Sequence, residues 1–151
     1  MFSMKVKYAL KALLYLARQQ DQGPTLIADI ALSENIPKKF LEAILLELRS
    51  SGILHNRKGK GGGYMLARPV DALSVGQIVE IFDGPMMAPV CVTYSAVLNC
   101  HMCDQAHQCG LKLIMEQVRN VVTTLLADTK LADILSQIEA ARNANVVMFN
   151  I

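Results

Sequence analysis

Residues 53–68 contain a short basic segment rich in glycine, between two stretches in which apolar and polar side chains alternate. The flanking stretches are 53–57 and 64–68, and the segment between them reads KGKGGG. Alternation with a period of two is typical of β-strands, and glycine permits the tight turn that joins two of them. The sequence therefore predicts a β-hairpin whose tip carries Lys58 and Lys60. A nucleotide-binding loop is excluded, because that motif requires Lys-Ser/Thr after its last glycine and then a helix.

Two short amphipathic helices are predicted immediately before this hairpin. The first spans about 26–34 with Thr25 as its expected N-cap, and the second spans 37–50 and opens with Pro37. A longer helix at 3–19 precedes both. Paired short helices followed by a hairpin are typical of a winged helix-turn-helix, whose second helix enters the DNA major groove. Helix pairs without any binding role have a similar pattern, so this spacing alone leaves that alternative open.

Charge is distributed unevenly along the chain. Residues 1–68 contain 11 Lys or Arg and 5 Asp or Glu, whereas residues 69–151 contain 4 and 8, so the two halves carry net charges of +6 and −4. A basic half indicates a polyanionic partner such as nucleic acid. A solvated basic face would have the same composition and is the alternative.

Hydropathy indicates a cytoplasmic protein that folds without disulfides. Hydrophobic residues make up 52% of the chain, enough to bury a core. Lys11 interrupts the apolar stretch near the N-terminus, which favours an amphipathic helix over a signal peptide. No apolar run approaches the roughly 18 residues of a membrane span. No Ser/His/Asp or paired-carboxylate pattern indicates an enzyme.

All the cysteines lie close together, at the spacing C-x8-C-x2-C-x5-C. They are Cys91, Cys100, Cys103 and Cys109. In a cytoplasmic protein, clustered cysteines are more often metal-binding or redox-active than structural disulfides. The cluster favours iron–sulfur, as [2Fe–2S] or [4Fe–4S]. Structural zinc and a metal-free thiol switch are the alternatives, and His101 and His107 are reserve ligands.

The C-terminal part is predicted to be helical. An apolar stripe over about 109–127 is too wide for a free helix surface, which predicts packing on the domain and on a second copy in a two-fold dimer. The stripe contains Leu111, Met115, Val118, Val122 and Leu125, widened by Ile114, Val121 and Leu126. Together these patterns predict a mainly α fold with a small β-hairpin wing, that is, a winged helix-turn-helix plus a long dimerisation helix. The expected units are a DNA-binding domain at 1–84, a cysteine-rich sensor loop at 85–108, dimerisation helices at 109–142 and a C-terminal tail at 143–151.

The chain resembles the Rrf2 family of bacterial winged-helix transcriptional regulators. The segments that carry the resemblance are KYAL at 7–10, the second short helix at 36–49, GGGYML at 61–66, SVGQIV at 74–79 and the cysteine segment before a long helix. Members of this family are dimers that bind palindromic operator DNA. The resemblance therefore implies double-stranded DNA and a second copy of the chain as partners, with no membrane and no small-molecule substrate.

The resemblance implies DNA contacts from the recognition helix, which is the second short helix, and from the wing. The corresponding positions are Pro37, Lys39, Phe40, Glu42 and Lys58. Pro37 has no N–H with which to donate a backbone hydrogen bond. Glu42 can accept from cytosine N4, whereas the lysines of both elements, including Lys38 and Lys60, can pair with phosphates or guanine.

Cluster-binding members of the family ligate iron through three cysteines. The pair Cys103-x5-Cys109 matches the second and third of these, and Cys91 lies where the first is expected, at a longer spacing. Cys100 offers a fourth thiolate. The resemblance thus implies Cys91, Cys103 and Cys109 as ligands, and Cys100 would complete a set of four cysteines within one subunit.

Two lysines mark departures from the family pattern. Lys112 stands where some members have a histidine ligand, and Lys7 where others have an aspartate ligand, which favours ligation by cysteines alone. The predicted function is a dimeric DNA-binding transcriptional regulator that senses iron–sulfur cluster status, redox state or nitric-oxide stress. A regulator with structural zinc or a thiol switch is the alternative, and an iron–sulfur redox protein would explain neither the wing nor the basic half.

Overall fold

A computed structural model of the chain describes residues 2–85 and 110–149, with side-chain exposure as far as residue 144. The structure confirms a mainly helical fold with one two-stranded antiparallel hairpin. The elements are α1 (Met4–Arg18), α2 (Ile27–Glu34), α3 (Lys38–Ser50), β1 (Leu54–Arg57), β2 (Gly63–Leu66), α4 (Val75–Asp83), α5 (Gly110–Asp128) and α6 (Leu131–Phe149). Short 3₁₀ turns lie at Gln20–Gln22 and Val70–Ala72.

The core lies between the first three helices and the base of the hairpin. Leu13 of α1, Ile30 of α2 and Leu45 of α3 are fully buried and belong to one apolar cluster, which also includes Leu54 of β1. Each helix contributes the face that the spacing of its apolar residues defines. Burying a side chain of this size is worth about 1.5–3 kcal/mol. The helix-turn-helix and the wing therefore share a single core.

Two of the helix starts follow from local sequence. The hydroxyl of Ser3 accepts a hydrogen bond from the Val6 N–H at the start of α1. Ser74 and Gln77 form a reciprocal capping box at the start of α4, as the sequence predicts. Hydrogen bonds from Ser3 also hold the pKa of the Asp83 carboxyl below its usual value, and the backbone N–H of Ser3 lies 2.9 Å from Asp83 Oδ2.

The prediction that Thr25 caps α2 is wrong. Leu26 is the N-cap residue and makes no side-chain cap hydrogen bond. Thr25 instead exchanges two backbone hydrogen bonds with Tyr64 of β2, at 3.0 and 2.8 Å. This pairing forms an isolated antiparallel bridge between the segment before α2 and β2. A contact between residues so distant in sequence outweighs the local capping preference of threonine.

The C-terminal helices are joined to the domain at the start of α4. Ser74 and Lys130 form an antiparallel bridge, in which the Val75 N–H donates to the Thr129 carbonyl and the Leu131 N–H to the Leu73 carbonyl. Helix α5 contacts α4. Helix α6 continues to Phe149, past residue 142, where the sequence predicts the start of a separate tail. Within residues 2–85 and 110–149, no helix combines the length and the apolar composition needed to cross a membrane.

Candidate nucleic-acid interface

Helix α3 has one buried face and one face open to solvent. Its buried side chains are Leu41, Ile44, Leu45 and Leu48, which are at most 2% exposed. The predicted DNA-contact residues of this helix, Lys38, Lys39, Phe40 and Glu42, are all exposed. Phe40 keeps 63% of its surface exposed, although burial of an aromatic ring would stabilise the fold. The first two turns of α3 thus present two cations, a ring and a carboxylate.

Pro37 lies at the N-cap position of α3. Its carbonyl accepts hydrogen bonds from the N–H groups of Phe40 and Leu41, both at 3.0 Å. Its pyrrolidine ring restricts φ, which is −57° here and suits the start of a helix. Asn35 precedes it with a φ of 52°, in the left-handed region that asparagine tolerates better than most residues. Both residues lie in the short connection between α2 and α3.

The tip of the hairpin is basic and open. Arg57, Lys58 and Lys60 are exposed, and Gly59 and Gly61 between and beside them have φ values of 94° and 75°. Only glycine adopts such angles at low energetic cost. The Gly62 N–H donates to the Gly59 carbonyl at 2.9 Å, which closes the turn. The turn thereby holds both tip lysines outside the body of the domain.

The recognition helix and the wing are fixed to one another. Residue Gly63 starts β2, and a Cβ there would lie 2.4 Å from the Thr25 carbonyl oxygen. This close approach, together with the Thr25–Tyr64 hydrogen bonds, ties the wing to Thr25, two residues before α2. Helices α2 and α3 share the core with the hairpin. The two basic surfaces consequently belong to one packed unit.

The lysines of this surface are not neutralised by neighbouring described side chains. In the part of the chain that the structure describes, the ion pairs are Lys11 with Glu34, at 3.7 Å, and Lys112 with Glu116, at 3.8 Å. The Lys11 ammonium also donates to the Glu34 carbonyl at the end of α2. The positive charge of the α3 start and of the wing tip is therefore directed to solvent. Such an arrangement suits contacts with the phosphates of a nucleic acid.

Comparison with known proteins decides the family. The sequence profile of the Rrf2 family, described as iron-dependent transcriptional regulator, matches residues 2–137. The chain belongs to the Rrf2 family. It is 34% identical to the rrf2-like HTH-type transcriptional regulator of Rhodobacter capsulatus over 139 residues, which is 90% of this chain and 93% of the relative.

Solved structures of Rrf2-type regulators have the same fold. CymR, the global cysteine regulator of B. subtilis, superimposes with a TM-score of 0.75 at 28% identity, covering 91% of this chain and 97% of CymR. IscR of T. potens superimposes with a TM-score of 0.74 at 26% identity, covering 93% of this chain and 90% of IscR. These likenesses confirm the winged helix-turn-helix with C-terminal helices. The match to the Rrf2 family shows a transcriptional regulator rather than an enzyme.

The predicted metal ligands of this Rrf2 protein lie outside the described residues. They are Cys91, Cys100, Cys103 and Cys109, with the reserve ligands His101 and His107. Across the described ranges 2–85 and 110–149, no group of three or more His, Cys, Asp or Glu side chains could hold a metal ion. Lys112 lies in the first turn of α5, paired with Glu116, and Lys7 is exposed on α1. A protonated lysine has no lone pair for a metal, so neither replaces a histidine or an aspartate ligand.

Proposed function

We propose that this protein binds palindromic operator DNA as a homodimer, with α3 in the major groove and the wing on the flanking phosphates. The observation that carries the proposal is the shared placement of exposed Lys38, Lys39 and Glu42 with the exposed tip lysines on one packed unit. Each dimer would offer two such units, so half-sites lie about 34 Å apart, one helical turn of DNA. Glu42 accepts from cytosine N4 and the lysines contact guanine or phosphate.

The exposed stripe of α5 supports the dimer. Five large apolar side chains recur on α5 at alternating spacings of three and four residues, and each is at least 41% exposed: Leu111, Ile114, Val118, Val121 and Leu125. This is the heptad pattern of a helix that packs against another helix. Met115 and Val122, which the sequence groups with these residues, are half-buried elsewhere on the helix. Leu126 packs against the small cluster of Val6, Val75 and Val79. We refer to the five exposed residues as the α5 seam.

We further propose that the four cysteines bind an iron–sulfur cluster that controls DNA binding. Thiolates are the ligands that such clusters require, and the family description includes iron dependence. A bound cluster would supply a group sensitive to iron supply and to oxidation. The cysteines follow α4 and precede α5 in the chain, and these two helices contact each other. The proposal is that the state of the cysteine segment alters how α4 and α5 meet, and with it the spacing of the two recognition helices.

Metal analysis tests the cluster. Protein purified without oxygen is expected to be coloured and to contain iron and sulfide in equal amounts, and Cys103→Ser or Cys109→Ser should remove both. Cys100→Ser discriminates between ligation by three and by four cysteines. Loaded and metal-free protein should differ in affinity for one operator at the same salt concentration. Stoichiometric zinc in a colourless sample would contradict the cluster and favour a structural zinc site.

Neutralising the wing tip is expected to weaken DNA binding without changing sequence preference. Lys58→Gln with Lys60→Gln should reduce affinity for all sequences, and should lower the slope of log affinity against log salt by about one for each phosphate that the variant no longer neutralises. Titration of labelled duplexes at several salt concentrations measures both quantities. Lys5→Gln is the control for loss of a lysine elsewhere. Lys5 is exposed near Asp83, the last residue of α4. An unchanged slope in the double variant would show that the two tip lysines do not contact DNA phosphates.

A further inference from the structure

The outward face of α3 becomes apolar beyond Glu42. At about 100° per residue, Lys39, Glu42 and Leu46 share the side of the helix opposite its buried residues. Ala43 lies on the same side and is also exposed. Leu46 keeps 49% of its surface exposed, whereas the adjacent Leu45 keeps none. A leucine thus continues the line of side chains that begins with a lysine and a glutamate.

Exposed large apolar side chains are concentrated in the helix-turn-helix. Outside α5, the described residues of this kind are Met4, Leu26, Leu32, Phe40 and Leu46. All but the first belong to α2, its N-cap or α3. Scattered leucines on a surface need no explanation. Leu46 differs from them because it shares a helix face with residues whose chemistry suits base contacts.

The major groove offers one apolar feature for such a side chain, the C5 methyl group of thymine. Glu42 and Leu46 are four residues apart, or about 6 Å along the helix axis. That distance corresponds to about two base-pair steps of roughly 3.4 Å. We propose that Leu46 reads a thymine methyl group about two base pairs from the pair that faces Glu42, with Ala43 filling the space between them. This inference rests on the proposed function, because it requires α3 in the major groove.

Uracil substitution directly tests the proposed contact between Leu46 and a thymine methyl group. An operator is first selected from random duplexes with the full-length protein, and each thymine is then replaced by uracil, which removes only the methyl group. At one thymine in each half-site, wild-type affinity should fall about fourfold for each methyl removed, the value of one buried apolar carbon. Leu46→Ala should abolish that penalty and keep the penalties at other thymines. Leu46→Met should retain it, because the side chain stays apolar and long.

The controls separate this inference from the proposed function. Leu32→Ala removes another exposed leucine, at 86% exposure on α2, and should leave the uracil profile unchanged. Thermal melting should show Leu46→Ala folded, because alanine is the stronger helix former and about half of the leucine surface is already in solvent. Equal uracil penalties in wild type and Leu46→Ala at every thymine would overturn the role of Leu46 and leave operator binding standing. If wild-type protein selects no preferred sequence, the proposed function fails and this inference fails with it.

Discussion

Val118→Glu combined with Val121→Glu is expected to convert the protein to monomers and to weaken operator binding by about 100-fold or more. Both residues belong to the α5 seam and are 41% and 68% exposed within one chain. In the proposed dimer each pair of seams would bring the new carboxylates together in an apolar contact, where unpaired charge is costly. A monomer engages one half-site and forgoes the gain of binding two linked sites at once. Light scattering after gel filtration measures the mass, and duplex titration measures the affinity.

Asn120→Glu is the matched control for these variants. Asn120 is exposed on the same helix, about 160° around the axis from Val118. The control adds the same kind of charge and should leave both mass and affinity close to wild type. A double-glutamate variant that stays dimeric would show that the α5 seam is not the contact between copies.

Gly63→Ala is expected to destabilise the domain by about 2–4 kcal/mol. The new Cβ would lie within 3 Å of the carbonyl oxygen, the carbonyl carbon and the nitrogen of Thr25, and none of these backbone atoms can rotate away. Relieving this overlap requires β2 to move from Thr25, which breaks the two hydrogen bonds between Thr25 and Tyr64. Denaturant unfolding followed by circular dichroism measures the free energy of unfolding. DNA binding should fall as well, because the wing would no longer be attached to Thr25.

Gly61→Ala separates this overlap from the general cost of replacing a glycine in the hairpin. Gly61 has a φ of 75°, and nothing lies within 4 Å of a Cβ added there. Replacing it with alanine should lower the free energy of unfolding by only about 1 kcal/mol, because only the left-handed backbone angle opposes the new side chain. Equal decreases in stability at the two positions would argue against a specific fit between Gly63 and Thr25.

The helix-turn-helix and wing could be predicted from sequence because their determinants are local. The apolar spacing of α3 and the glycines of the hairpin each specify structure within a few residues, as the capping box at Ser74 does for α4. The exposure of Lys39 and Lys58 follows in the same way, since each lies off an apolar pattern. The role of Thr25 could not be predicted, because its partner Tyr64 is far along the chain.

The sequence also could not show which apolar residues of α5 face the domain and which face solvent. Leu125 and Leu126 are adjacent and chemically identical, yet the first is 62% exposed and the second packs against Val6 and Val75. Which of two apolar stripes faces the domain depends on the rotation of α5 about its axis, and α4 sets that rotation. The cysteine ligands lie outside the described residues and remain predictions.

The bridge between Ser74 and Lys130 lies just beyond the C-terminal end of α5 and holds that end beside the start of α4. Near the same end, a Cβ on Gly76 would lie 3.2 Å from the backbone of Leu126 and Ala127, so α4 and α5 meet there with little clearance. Helix α5 has 19 residues and is about 28 Å long, so a tilt about this contact would have its pivot at the C-terminal end. A tilt of about 10° at the pivot moves the other end by about 5 Å while the pivot stays in place. A pair of spin labels at position 113 of the two copies would therefore register motion that labels at position 128 would miss.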